Sequence, residues 1–272
     1  MVTVVFGASG NVGRHVADGL RANGEKVRTT SRRPNAETVT ADLERPETLP
    51  AALEGADKVF LYAKPDGIDG FVQAAEAAGV QHLVLLSSAA VVGPDAEHNP
   101  IAQQHRAVEV AIERSGVAWT FIRPGMFATN TLWWWQRPIR ADGVVRNPYP
   151  NAQTAPVHEQ DLAALAVTAL TTSGHEGQAY TVFGPESLTL RRQVELIGDA
   201  LGRTIRLEEI SVDESRAELS KTIPALGVET FLRQWAARDG TAAQTSTVVH
   251  EATGRPARTF AQWAVDHAED FR

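Results

Sequence analysis

Cysteine is absent from this 272-residue chain. Its absence excludes disulfides, a thiolate nucleophile and any Cys-ligated metal site. Clustered positive charge is also missing: the longest basic runs are the pairs Arg32-Arg33 and Arg191-Arg192, and the formal net charge is -7. Binding to a phosphate backbone is driven by grouped Lys and Arg that displace counterions, so no nucleic-acid groove is expected. No apolar run approaches the length of a bilayer span, and a strand starting at Val2 leaves no room for a signal peptide. The expectation is a cytoplasmic protein without a membrane or nucleic-acid partner. Internal repeats and low-complexity tracts are absent too. What is present is apolar material, 43% of all residues, enough to fill one large α/β domain or a domain with a smaller lobe.

In the first half, short β-branched runs alternate with Ala-rich helical stretches. Strands are expected at Val2 to Phe6, Val27 to Thr30, Lys58 to Tyr62, Leu83 to Ser87 and Ala118 to Ile122, with helices at Val12 to Ala22, Ile68 to Ala78 and Ala102 to Ser115. Continuous apolar strands separated by helices imply right-handed crossovers and a doubly wound, Rossmann-type parallel sheet. After Arg123-Pro124-Gly125 the rhythm breaks at "NTLWWWQRP" and a Pro/Asn-rich stretch over 146–156. Helices at Glu159 to Leu170 and Leu190 to Leu201 and strands at Ala179 to Phe183 and Thr204 to Ile210 follow. The fold class is therefore α/β, with a core over 1–127 and a smaller C-terminal α/β lobe over 128–272, of which about 151–185 returns to the core.

Between the first strand and the first helix lies Gly7-Ala8-Ser9-Gly10-Asn11-Val12-Gly13. The three glycines serve a tight turn, a close backbone approach to a pyrophosphate, and helix-on-strand packing. The helix N-terminus then turns its free N–H groups and positive dipole end to the phosphates. Gly7, Ser9, Gly10, Asn11, Val12 and Gly13 are thus expected to bind a dinucleotide. An acid at the end of the second strand would bind the ribose 2′-OH of NAD; this chain has Ser31-Arg32-Arg33, suited to the 2′-phosphate of NADP(H). Each charge-assisted hydrogen bond there contributes about 1.5–3 kcal/mol. The alternative, that Arg32 and Arg33 merely solvate a loop, stays open.

The GASGxxG turn resembles the short-chain dehydrogenase/reductase superfamily in its atypical and extended branches. That resemblance places Asp42, followed by Leu43, against the adenine amino group, although an isolated Asp before a helix serves equally as a cap. Ala63, after the fourth strand, joins the expected cofactor contacts. Standard members carry Tyr-x-x-x-Lys on the helix after the fifth strand, the two side chains one turn apart. Here the row reads Ile101, His105, Glu109, and none of the three tyrosines has a lysine four residues on. The usual carbonyl-reducing pair is missing. The stretch "HRAVEVAIERSGVAWTFIRPGMFATN", with "PVHEQDLA", "YTVFGPESLTL" and "TGRPARTFAQWAVDH", resembles the NmrA-like group of atypical members, including NADPH:quinone oxidoreductase relatives. The group mixes reductases with proteins that sense the NADP redox state.

His105, standing where Lys would, is expected to touch the cofactor or donate a proton, since an unperturbed imidazole titrates near pH 6.5; a helix-surface histidine is the competing reading. Ser87 closes a central strand, where open α/β sheets bind ligands, and is the second catalytic candidate, while Ser88 faces the core in one reading. Pro124, Met126 and Phe127 are expected beside the nicotinamide. His158, Glu159 and Asp161 lack helical ligand spacing and read as a helix start, so no metal is expected. Trp133, Trp134 and Trp135 cannot share one helix face; at least one is exposed or lines a pocket for a planar hydrophobic, aromatic or quinone-like substrate, and packing of the small lobe is the alternative. The expected function is NADPH-dependent hydride transfer to an electron-poor acceptor such as a quinone or conjugated ketone. A non-catalytic NADP(H) sensor is the second reading, and a nucleotide-sugar epimerase a distant third.

Overall fold

A computed structural model of the chain describes every residue except Pro34 and Asn35, and leaves the side chain of Leu226 undescribed. The chain forms two compact units: residues 1–125, 159–182 and 248–256 make the first, and 126–158, 183–247 and 257–272 the second.

The first unit is built on strands β1 (Val2–Val5), β2 (Lys26–Ser31), β3 (Val39–Thr40), β4 (Lys58–Tyr62), β5 (His82–Leu86), β6 (Ala118–Pro124) and β9 (Gln178–Val182), with helices α1 (Gly13–Ala22), α2 (Leu49–Leu53), α3 (Ile68–Ala77), α4 (Pro100–Glu113), α6 (Glu159–Thr171) and α10 (Val248–Thr253). Its sheet has the order β3-β2-β1-β4-β5-β6-β9, and every pairing is parallel. The chain leaves β1 toward β2 on one side and later returns to β4 on the other, so the sheet's order reverses at β1. Ligands bind beyond the carboxyl ends of the strands at such a reversal. One face carries α2, α3 and α4, whose Leu49, Phe71 and Val108 pack with Val4, Leu61 and Leu85 of the strands. The other carries α1 and α6, which pack so closely that a Cβ on Gly19 would stand 3.0 Å from Val167 Cγ2.

Helix α4 starts at Pro100, two residues before the apolar periodicity indicates. Asn99 caps it, its side chain accepting from the N–H groups of Ile101 and Ala102 at 3.0 and 3.5 Å, and Pro100 suits the first helical position because it has no N–H to leave unpaired.

The second unit holds α5 (Asn130–Ala141), β7 (Val144–Asn147), β8 (Gln153–Thr154), β10 (Leu188–Thr189), α7 (Leu190–Leu201), β11 (Arg206–Glu209), α8 (Val212–Leu219), α9 (Ala225–Arg238) and α11 (Phe260–Asp266). Strand β11 pairs in parallel with β7, and β10 antiparallel with β8. The segment "NTLWWWQRP", where the strand–helix rhythm breaks, is helical as α5 and includes Pro138 in its last turn. Trp134 and Trp135 are buried in the unit's core with Trp235 and Trp263, whereas Trp133 is 59% exposed. Three successive positions on a helix differ by about 100° each, which sends the first tryptophan outward.

Candidate cofactor crevice at the carboxyl edge of the sheet

After β1 the backbone turns at Gly7, whose φ of +68° is a left-handed conformation that favours glycine. The Gly10 N–H closes the turn onto the Gly7 carbonyl at 2.9 Å. At Gly13 a Cβ would stand 2.2 Å from that carbonyl oxygen, so the helix can begin this close to the strand only without a side chain. Val12, at the N-cap position of α1, offers no capping group, and the first turn contains no acidic residue. Neither a capping side chain at Val12 nor a first-turn acid therefore competes for the positive end of the helix, where such groups usually sit. A glycine cradle with an uncapped helix start fits a pyrophosphate, and Ser9, Gly10, Asn11, Val12 and Gly13 line it.

The other expected contacts of this unit stand along the same edge. Ser31 ends β2, and its Oγ accepts from the Arg33 N–H at 3.2 Å. Arg32 and Arg33 are exposed, and neither is paired with a carboxylate among the described residues. Asp42 and Leu43 follow β3; Asp42 Oδ1 accepts from the Glu44 N–H at 3.2 Å, a local turn that leaves the carboxylate half-buried. Leu43 is buried, and its carbonyl would meet a Cβ on Gly67 at 1.8 Å. Ala63 follows β4, donating its N–H to Leu86 O at 3.1 Å. Next to it, Lys64 pairs with Glu44 at 2.5 Å, and this hydrogen bond raises the lysine above its ordinary pKa.

Ser87 is buried, and its hydroxyl donates to Glu109 Oε1 at 2.7 Å. Glu109 is completely buried. Its carboxylate also accepts from Arg123 Nε and Nη2, both at 2.8 Å, and from Arg106 Nη1 at 3.2 Å. Arg106 in turn forks onto Glu113 at 2.8 and 2.9 Å, and those bonds, the largest cause, together with its bond to Glu109, hold its pKa above the ordinary value. Two carboxylates and two guanidinium groups thus balance in charge, tying α4 to the ends of β5 and β6. Ser87 thus commits its one donor to Glu109, a bond that ties the end of β5 to α4, and keeps only acceptor capacity for a ligand. Ser88 is half-buried, with Oγ accepting from the Ala90 N–H at 3.2 Å. The serine that faces inward is Ser87.

One turn before Glu109, His105 is half-buried, and its Nδ1 lies 2.8 Å from the Ile101 carbonyl oxygen. A carbonyl only accepts, so Nδ1 carries the hydrogen. His105 Nε2 has no partner among the described residues. Pro124 ends β6, and the following Gly125 N–H donates to Val182 O at 2.8 Å.

Met126 and Phe127 open the second unit, where the Met126 carbonyl accepts from the Val157 N–H at 2.8 Å and Phe127 bridges Val157. His158 is buried with Nε2 3.3 Å from Asp266 Oδ2, and Glu159 begins α6. Sequence reading missed Arg123 as a site residue and saw Glu109 only as part of a helical row. The signal was there in "TFIRP", a lone arginine closing an apolar strand.

A family model described as NAD(P)H-binding matches residues 7–173, which begin at the first glycine of the cradle; the chain belongs to this family. It is 45% identical over 282 residues to a (4-alkanoyl-5-oxo-2,5-dihydrofuran-3-yl)methyl phosphate reductase of Streptomyces griseus subsp. griseus, covering 98% of each chain. It is 33% identical over 295 residues to an NAD(P)H azoreductase of Xenophilus azovorans, again covering 98% of each. Its fold matches that of a Citrobacter sp. triphenylmethane reductase solved in complex with NADP(H), with a TM-score of 0.80 at 22% identity, over 98% of this chain and 100% of the other.

Proposed function

We propose that this protein is an NADPH-dependent oxidoreductase that reduces electron-poor, conjugated acceptors such as quinones and conjugated ketones. The observation that carries the reading is the Gly7–Gly13 cradle, closed to any side chain at Gly13 and uncapped at the start of α1. Arg32 and Arg33, exposed and unpaired with carboxylates at the end of β2, would hold the 2′-phosphate, and Asp42 and Ala63 would border the nucleotide. When bound, NADPH supplies the hydride. The absence of the Tyr-x-x-x-Lys pair directs the choice of acceptor. Losing a positioned general acid costs roughly a hundred- to ten-thousandfold, which an unactivated ketone suffers in full because its developing alkoxide needs that proton. A quinone, reduced to an already stabilised phenolate, suffers less. The relatives' names, an oxo-dihydrofuran phosphate reductase and an azoreductase, support an acceptor whose π system is conjugated.

The test is anaerobic NADPH oxidation against a panel of quinones, conjugated ketones and simple ketones. Turnover with the first two and negligible rates with the third are expected. Tight binding that differs between NADP+ and NADPH, with no oxidation by any acceptor, would replace this reading with that of a redox sensor.

A further inference from the structure

The network at the ends of β5 and β6 fixes where the rest of α4 stands. Strands β5 and β6 are parallel neighbours, so the chain between them must return from the carboxyl edge to the amino edge, and α4 runs against the strands. Glu109 is pinned to that edge by Ser87 and Arg123. Residues earlier on the same helix therefore project beyond it, by about 6 Å per four residues. His105 is the first such residue on the row of Glu109. Its Nδ1–H is taken by the Ile101 carbonyl, which sets the tautomer and leaves Nε2 as the one nitrogen where a proton can arrive or leave.

From this geometry we propose that His105 is a catalytic residue, delivering from Nε2 the proton that completes the reduction of a conjugated ketone. The proposal rests on the reductase reading above. Bound NADPH would supply the hydride for a new C–H bond at the β-carbon, becoming NADP+, and the π electrons would move onto the carbonyl oxygen. The Nε2–H bond of the imidazolium breaks as an O–H bond forms, leaving neutral imidazole and an enol. The enol tautomerises to the saturated ketone in water, and the imidazole regains its proton from solvent. A quinone needs no such donor, so the two acceptor classes separate the proton step from the hydride step.

The charged and titratable groups on and around α4 are Arg106, Glu109 and Glu113 on the helix itself, Asp69 and Glu76 on α3, Glu97 and His98 on the turn before α4, and Arg123 on β6. Of these, Arg106, Glu109, Glu113 and Arg123 are already joined to one another, while His105 Nε2 stays outside that network.

The experiment compares the wild type with His105→Gln, which keeps a polar side chain but does not titrate, and with His105→Ala. Each is assayed with 2-cyclohexen-1-one and with 1,4-benzoquinone across pH 6 to 9, and NADPH affinity is measured separately by calorimetry. For the wild type, kcat on cyclohexenone should fall as pH rises, while kcat on benzoquinone stays flat. Both variants should lose about a hundred- to ten-thousandfold on cyclohexenone with a flat residual profile, and lose far less on benzoquinone and in NADPH affinity. Unchanged cyclohexenone rates or an unchanged pH profile would overturn the proposal, and so would losses on benzoquinone and in NADPH affinity as large as those on cyclohexenone, which would make His105 a cofactor contact alone. Failure of the wild type to oxidise NADPH with either acceptor would instead overturn the reductase reading, and the proposal with it.

Discussion

Replacing Arg32 by Ala tests the proposed NADPH preference at the residue to which it is assigned. The side chain is exposed just past Ser31, the last residue of β2, and no carboxylate competes for it among the described residues, so its whole charge is available to a phosphate. A charge-assisted hydrogen bond contributes about 1.5–3 kcal/mol, and solvent exposure places Arg32 toward the lower value. With 1.4 kcal/mol per factor of ten, the wild type should bind NADPH about tenfold or more tightly than NADH. Arg32→Ala should weaken NADPH by a similar factor. NADH, which has no 2′-phosphate, should bind the variant as it binds the wild type, and this control separates a lost contact from a damaged fold. Calorimetric titration of both nucleotides at two salt concentrations gives the numbers, and the NADPH advantage should shrink at the higher one. Equal affinities in the wild type, or an Arg32→Ala variant that loses both nucleotides alike, would refute the assignment of the 2′-phosphate to this side chain.

Glu109→Ala should destabilise the protein by about 3–5 kcal/mol, because it strands the largely buried Arg123 charge; Glu109→Leu combined with Arg123→Met should recover most of the loss in urea unfolding, since a buried pair replaced as a unit by apolar groups is often neutral. No recovery in the double variant would show that the pair does more than balance its own charges. At the opposite edge of the sheet, His82 is buried with Nε2 2.9 Å from Thr120 Oγ1, which itself donates to His175 O at 2.7 Å. Burial, the largest cause, holds His82 below its ordinary pKa of 6.5. The unfolded chain therefore binds more protons just below that value, and stability should be complete above pH 6.5 and decline as the pH falls beneath it. His82→Gln should flatten that decline in unfolding measured from pH 5 to 8, and an unchanged slope would assign the acid sensitivity to other groups.

The parallel sheet was legible because a strand buried on both faces is written as an unbroken apolar run, as in "HLVLL" and "AWTFI", and its carboxyl edge is marked by the glycines that must follow β1. Helix α5 was not: its periodicity is masked by three adjacent tryptophans and by Pro138, and what settles it is packing against Trp235 and the rest of the second unit's core. The two serines after β5 show a different limit. Alternation says that Ser87 and Ser88 face opposite sides, but not which side is filled. That depends on Glu109, a residue type that local sequence reads as a solvated helix face, and Glu109 is buried because Arg123 arrives from another strand to meet it.

The same pair explains how α4 can lack the Tyr-Lys row and still stand as a rigid wall of the crevice. The apolar contacts of Val108 and Ile112 bury one face of α4 but are non-directional. Here the anchor is directional: the fork of Arg123 onto both oxygens of Glu109 fixes rotation about the helix axis, and the Ser87 bond fixes its height over the strand end. Precision of this kind is what a proton donor requires, because transfer depends on hydrogen-bond reach. If His105 donates the proton as proposed, the buried acid works at a distance from the chemistry: Glu109 holds the helix that carries the imidazole one turn away, the Ile101 carbonyl sets its tautomer, and the charges of Glu109, Glu113, Arg106 and Arg123 balance among themselves.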